Sequence, residues 1–368
     1  MATGVRRIAL LGATGSIGRQ ALEIVQQDRH LEICALASGS QPLDELARTL
    51  GVEHVQVGGD LTELLEAAEP DLVLNAVVGF AGVGATLWTL ERGVTLALAN
   101  KESLVAAGEL ALAAWKRGGG ALLPVDSEHS AVFQCLEGRA PETVDSLVLT
   151  ASGGPFRNRS LTELEAVTVE EALTHPTWSM GPKITVDSAT LANKGLELIE
   201  AHVLFELPYQ AIEVVVHPTS VVHGVVRFRD GAALAHLGHP DMRVPISFAL
   251  AYPDRRPTPV PQLDLAGLTL EFEAPDHERF PLLGLAREAG EHGGTYPCAF
   301  NAANEVAVAA FLDRRIGFLE IARVVEETLE HVEGAPARDL EALVEADADA
   351  RERARQASPL RPQGGVRV

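Results

Sequence analysis

Gly12-Ala13-Thr14-Gly15-Ser16-Ile17-Gly18 decides how the chain begins to fold. It follows an apolar run at 8–11 and opens a helical pattern over 16–27. A GxxGxxG turn between strand and helix offers free backbone N–H groups to a pyrophosphate, and its glycines let the ligand approach the backbone. The spacing departs from strict GxGxxG, but the strand–turn–helix placement raises it above a chance match. The bland alternative is a tight β–α turn with no ligand.

Working outward, apolar runs at 31–37, 71–78, 94–98 and 121–125 read as strands. Helical patterns lie at 43–50, 85–92 and 102–117, the last stopped by the triple glycine 118–120. Alternating elements with continuously apolar strands predict a parallel sheet covered on both faces. After about Asp126 the pattern changes. A strand at 146–150 leads to the turn Ser152-Gly153-Gly154-Pro155. Residues 174–187 lack any period and predict a long lid-like loop. A helix over 189–207 precedes antiparallel strands at 213–216, 220–227 and 232–237, the last two joined through Arg229-Asp230-Gly231. The proline-rich 253–261 suits a semi-rigid linker. Beyond it, Phe318, Ile321, Ala322, Val325, Leu329 and Val332 form one helical stripe. The expected division is 1–123, 124–252 (α+β, with the lid), linker 253–283, and a helical 284–368 frayed after Ser358.

The 368 residues are 46% hydrophobic and 22% charged, which excludes a mainly disordered chain. Net charge is −21, so a broadly basic nucleic-acid surface is excluded and an anionic ligand needs a locally prepared pocket. Cys34, Cys135 and Cys298 form no CxxC pair, which argues against a disulfide framework or thiolate zinc site. No membrane-length apolar run or secretory signal is apparent, and a cytoplasmic protein is expected.

The second strand ends Ala37-Ser38-Gly39-Ser40-Gln41, without the acid that usually binds an NAD ribose. That favours NADPH. Asn100-Lys101-Glu102 stands at a strand's carboxyl end, where open α/β sheets place ligand groups. Its alternative is an ordinary polar helix start. Asp126-Ser127-Glu128-His129 ends the next strand, and its hard oxygen donors suit Mg²⁺ or Mn²⁺ if a third carboxylate joins them. Glu197 is available on a helix, with Asn193 four and Lys194 three residues before it. Ser188, Asn193 and Lys194 offer donors suited to a phosphate. An exposed helix explains those charges equally well, but not Gly195 beside them. His175-Pro176-Thr177-Trp178-Ser179-Met180-Gly181 reads as a lid or as irregular core. For His217 and His223 a structural role is the simpler reading, and His239 has no assigned role. No HExxH pair supports zinc-protease chemistry.

The blocks GATGSIG, ANKE, DSEHSA, SGGPF, HPTWSMG, VDSATLANKGLE, HPTSVVHG, GHPDMR and NAANE, in this order, resemble the 1-deoxy-D-xylulose 5-phosphate reductoisomerases from Ile8 to about Arg353. The resemblance implies an N-terminal Rossmann-like domain, a central α+β catalytic domain and a C-terminal helical bundle, usually in a homodimer. It implies an NADP-dependent oxidoreductase of isoprenoid precursor synthesis, converting 1-deoxy-D-xylulose 5-phosphate to 2-C-methyl-D-erythritol 4-phosphate with Mg²⁺ or Mn²⁺, Co²⁺ also being admitted. Thr14, Gly15, Ser16, Ile17, Gly39, Ser40, Gln41, Asn100, Glu102 and Gly181 would hold NADPH. Asp126, Glu128 and Glu197 would bind metal and, with Lys101, carry catalysis. Lys101, Ser127, Glu128, Ser152, His175, Ser188, Asn193, Lys194 and Glu197 would contact the sugar phosphate. Trp178 and Met180 would belong to the lid, and His129 and His223 would support. Ala13 and His239 depart from the family pattern. Two other classes compete. A semialdehyde dehydrogenase needs a cysteine nucleophile, and a non-catalytic NADP sensor would leave the carboxylate blocks surplus.

Overall fold

The computed structural model describes residues 5–178 and 180–360. The parts of the sequence reading that fall on 1–4, Ser179 and 361–368 lie outside the described residues.

The glycine turn works as its spacing implies. Strand β1 (Arg6–Leu11) runs into α1 (Ser16–Gln27) through it. Gly12 has φ +87°, and a Cβ there would stand 2.3 Å from Ala76 O. At Gly18 a Cβ would stand 2.4 Å from Gly12 O, so this glycine lets α1 press onto the strand end. At Gly15 a Cβ would stand 3.3 Å from Gly12 O, a tight contact but a milder one than at the other two glycines.

The chain continues through β2 (Leu31–Ser38), α2 (Asp44–Leu50), β3 (His54–Val57), α3 (Thr62–Ala68), β4 (Leu72–Asn75), α4 (Val83–Glu91), β5 (Thr95–Leu98), α5 (Lys101–Gly118) and β6 (Leu122–Pro124). The six strands are parallel, in the order β3-β2-β1-β4-β5-β6. Reversal of direction beside β1 opens a crevice at the carboxyl ends, where α/β sheets bind ligands. Apolar side chains on both faces form two cores, one under α1 and one under α3 to α5. β3 and α3 are additional to the elements expected from the sequence. β3 is a four-residue edge strand, half-buried on alternate residues, too short to show a period.

The second part begins with α6 (Ser127–Leu136) and β7 (Val144–Ala151), then α7 (Leu161–Glu165) and α8 (Val169–Ala172). The expected loop 174–187 runs only to Gly181. Pro182 opens α9 (Pro182–Thr190), because a proline at the first helical position loses no hydrogen bond. The helix expected over 189–207 is two: Leu191, at φ +61°, separates α9 from α10 (Ala192–Phe205). Strands β8 (Ile212–Val216), β9 (Val222–Phe228) and β10 (Ala233–Leu237) complete a sheet ordered β10-β9-β7-β8. They are not all antiparallel: β8 pairs in parallel with β7, while β9 pairs antiparallel with both β7 and β10. Pairing partners are set by distant segments, which local patterning does not reveal.

Helix α11 (Arg243–Ala251) returns to the first sheet. Ile246, Ala249 and Leu250 are buried in the core under α1, and Arg6 donates to Leu250 O and Tyr252 O. The linker ends at α12 (Leu282–His292) and is tied down midway by a bridge between Glu273 and Val216. Helices α13 (Tyr296–Leu312), α14 (Glu320–His331) and α15 (Leu340–Gln356) follow. The end expected to fray at Ser358 forms a 3₁₀ turn through Leu360, anchored by Ser358 on Glu327.

Candidate active site

A cleft of about 460 Å³ lies between the start of α1, the ends of β5 and β6, and helices α9 and α10. Among the expected residues, Ser16, Ile17, Lys101, Asp126, Ser127, Glu128, Ser152, His175, Trp178, Met180, Gly181, Ser188, Asn193, Lys194 and Glu197 line it.

Three carboxylates converge at its floor. Asp126 caps α6, Glu128 sits in the same first turn, and Glu197 comes from α10; their ligand atoms all lie within 4.8 Å of one another. Two ammonium groups thread between them. Lys101 Nζ lies 2.8 Å from Glu197 Oε1, 2.8 Å from Asn193 Oδ1, and against Asp126. Lys194 Nζ is 2.6 Å from Glu128 Oε1 and also pairs with Glu197. Burial opposes the charge on both lysines, but the carboxylates outweigh it and hold both above their ordinary range. Burial likewise works against Glu197, and Lys101 and Lys194 pull it down to about 2. For Asp126 burial prevails and raises the carboxyl despite Lys101. Its Oδ2 is buried and faces Lys101 Nζ. Three acids against two bases leave surplus negative charge on hard oxygen donors. That donor set fits a divalent cation.

His129, fully buried, supports this floor. Its Nε2 meets Glu197 O at 2.8 Å and its Nδ1 lies 3.5 Å from Glu200 Oε2. Burial pushes the Glu200 carboxyl well above its ordinary range. Glu200 escaped sequence reasoning, although one turn of helix beyond Glu197 was a usable signal.

A second polar group surrounds His175. Backbone N–H groups of Thr177 and Trp178 donate to its Nδ1 at 3.2 and 2.9 Å. The ring proton therefore sits on Nε2, which faces Ser152 Oγ at 3.0 Å and Ser188 Oγ at 3.1 Å. Burial lowers this imidazole to about 4, so it is neutral near pH 7. With the single Nε2–H shared between the two hydroxyl oxygens, their own protons are free for a ligand.

His223 also lines the cleft, whereas the remaining residues expected to hold the cofactor fall outside its wall. Gly39, Ser40 and Gln41 are exposed at the end of β2, and nothing stands within 4 Å of a Cβ at Gly39. Thr14 and Gly15 lie in the turn itself. Asn100 and Glu102 are turned inward. Asn100 caps α5 and donates to Val77 O and Gly79 O, while Glu102 lies 3.2 Å from Lys183 Nζ. Gly195 serves packing: a Cβ there would stand 2.5 Å from that of Ala286 on α12. None of the cysteines lines the cleft, and burial raises all three thiols, Cys298 to about 12, which removes the semialdehyde-type nucleophile.

Residues 8–60 and 47–108 match the profile of 1-deoxy-D-xylulose 5-phosphate reductoisomerase, and 122–205 and 237–353 match its C-terminal domain profiles. The reductoisomerase of Heliobacterium modesticaldum is 50% identical over 94% of this chain and 96% of its own. The chain belongs to the 1-deoxy-D-xylulose 5-phosphate reductoisomerase family. The Chlorobium chlorochromatii member is 47% identical, covering 96% of this chain and 100% of its own. The solved Zymomonas mobilis enzyme in complex with NADPH superposes with a TM-score of 0.86 at 44% identity, covering 95% of this chain and 98% of its own. A reductoisomerase solved with NADPH, fosmidomycin and magnesium gives 0.88 at 39% identity, covering 96% and 98%.

Proposed function

We propose that this cleft carries out the family's reaction: NADPH- and divalent-metal-dependent rearrangement and reduction of 1-deoxy-D-xylulose 5-phosphate to 2-C-methyl-D-erythritol 4-phosphate. One observation carries the reading. Three carboxylates and two lysines share a single cavity with the phosphate-binding turn of α1.

The N–H groups opening α1 at Ser16 and Ile17 take the cofactor pyrophosphate, with Thr14 and Gly15 giving it room. Gly39, Ser40 and Gln41 meet the adenosine ribose without a repelling carboxylate. Gly181 joins from the lid side. Asn100 and Glu102 hold the end of β5 and the start of α5 in place beneath the cofactor.

Asp126, Glu128 and Glu197 would hold Mg²⁺ or Mn²⁺, or Co²⁺ in their stead. When bound, the metal polarises the substrate's ketone and hydroxyl oxygens, and NADPH supplies hydride to the rearranged aldehyde. Lys101 stays protonated and donates to a substrate oxygen. Ser127 orients Glu128 by donating to its Oε2 at 2.6 Å. Ser152 and Ser188, fixed by His175, donate to the phosphate, with Asn193 and Lys194 beside them. Trp178 and Met180 close over the substrate and exclude water.

The chain also fits a cytoplasmic homodimer. No helix of the described residues is long and apolar enough to cross a membrane, and β10 is a free sheet edge with Leu234 and Leu237 exposed. Sedimentation tests the dimer. NADPH oxidation by 1-deoxy-D-xylulose 5-phosphate, with and without Mg²⁺ or Mn²⁺, tests the function. Metal-independent oxidation, or none, overturns it.

A further inference from the structure

The NAANE block at 301–305 takes no part in the chemistry above, yet Asn301 and Asn304 are fully buried. We propose that Asn304 and Glu305, on α13 of the C-terminal helices, position the fixed end of the lid and the cofactor-side loop, with Lys183 as the clamp between them. This rests on the functional reading above and deepens it.

Hydrogen bonds and ion pairs form a chain whose two ends meet by close approach at α13. Asn304 Nδ2 donates to Asp187 Oδ1 at 2.8 Å. Asp187 Oδ2 lies 2.8 Å from Lys183 Nζ, and Lys183 lies 3.2 Å from Glu102 Oε1. Asn100 Nδ2 then donates to Glu102 Oε2 at 3.3 Å and to Gly79 O at 2.9 Å. Gly79 brings this chain of contacts back to α13. It has φ +72°, and a Cβ there would stand 2.7 Å from Glu305 Oε1. Glu305 is itself fixed by Asn301 at 3.0 Å and by Arg351 of α15 at 2.7 Å.

The geometry gives this chain of contacts a purpose. Lys183 stands two residues past Gly181, where the lid loop becomes helix. Asp187 directly precedes Ser188, the hydroxyl on His175. The helix that ends the lid and carries a phosphate contact is therefore held from behind by the C-terminal helices. Asn304 acts through Asp187 and touches neither substrate nor cofactor, so it is a positioning residue. Misplacing a binding group by about 1 Å costs up to roughly a hundredfold in rate.

The test compares Asn304→Leu, Lys183→Gln and Lys183→Arg in the full chain, reading kcat and KM for 1-deoxy-D-xylulose 5-phosphate and the activation constant for Mn²⁺. The expected result is a KM raised about tenfold in the first two, as loss of a hydrogen bond to a charged group implies. The Mn²⁺ constant should stay within about twofold, because its ligands lie on α6 and α10, and Lys183→Arg should restore KM. Lower melting temperatures with unchanged KM overturn the proposal, as does a KM that Lys183→Arg fails to restore. Should Asn304→Leu not fold, the two Lys183 variants decide it alone. A wild-type chain inert towards this substrate overturns the functional reading as well.

Discussion

Lys101 Nζ lies 2.8 Å from Glu197 Oε1 although 96 positions separate the two in sequence. The contact brings the start of α5 and the inner face of α10 to one point. It also means that Lys101 and an incoming cation draw on the same carboxylate.

Replacing Glu197 by Gln turns one of three anionic ligands into a neutral amide and removes the charge that both lysines share. Mn²⁺ affinity should fall at least 10- to 100-fold, with turnover falling alongside it. Calorimetric Mn²⁺ titration and activity at limiting metal measure this. Equal affinity in variant and wild type would remove Glu197 from the metal site.

Stripping divalent metal with a chelator should abolish turnover yet leave NADPH binding intact. The pyrophosphate turn and the three carboxylates stand on different elements. Quenching of protein fluorescence by NADPH in the presence of EDTA is the check; lost binding would contradict the separation.

The middle and last glycines of the turn should respond differently. Gly18→Ala puts a methyl into Gly12 O and should cost about 1–3 kcal/mol of stability. Gly15→Ala meets Gly12 O at 3.3 Å, a milder crowding, and should cost less stability than Gly18→Ala while weakening NADPH roughly tenfold or more. Thermal melts and NADPH titrations of both variants separate the cases.

Burial lowers His175, His223 and His236 each to about 4, from an ordinary 6.5. Unfolded, these rings take up protons as pH drops through about 6.5; folded, they resist until about 4. Stability should therefore be fully present above pH 6.5 and decline towards pH 4. His236→Gln should flatten that decline. Urea midpoints at several pH values test it, and a flat wild-type profile would refute it.

Much of the architecture was legible because it is local. The glycine turn marks the start of α1, and the apolar runs mark five of the six strands of the first sheet, missing only the short edge strand β3. The carboxylates were legible as types and spacings, since Asn193 and Glu197 share a helix face whatever they meet. What stayed hidden is non-local. The parallel partner of β8, the threading of Lys101 and Lys194 between acids, and the clamp at Lys183 depend on which distant surfaces touch. Pro182 is hidden for a different reason: a proline inside an aperiodic stretch reads as loop, yet at the first helical position it starts a helix.

Helix α11 has one more implication. It comes from late in the chain yet fills a groove on the first sheet, sealed by Arg6 at the strand that starts the fold. A fragment cut near residue 125 would leave that groove as a bare greasy seam. Such a truncation should aggregate, whereas co-expressing the missing segment in trans should rescue its solubility.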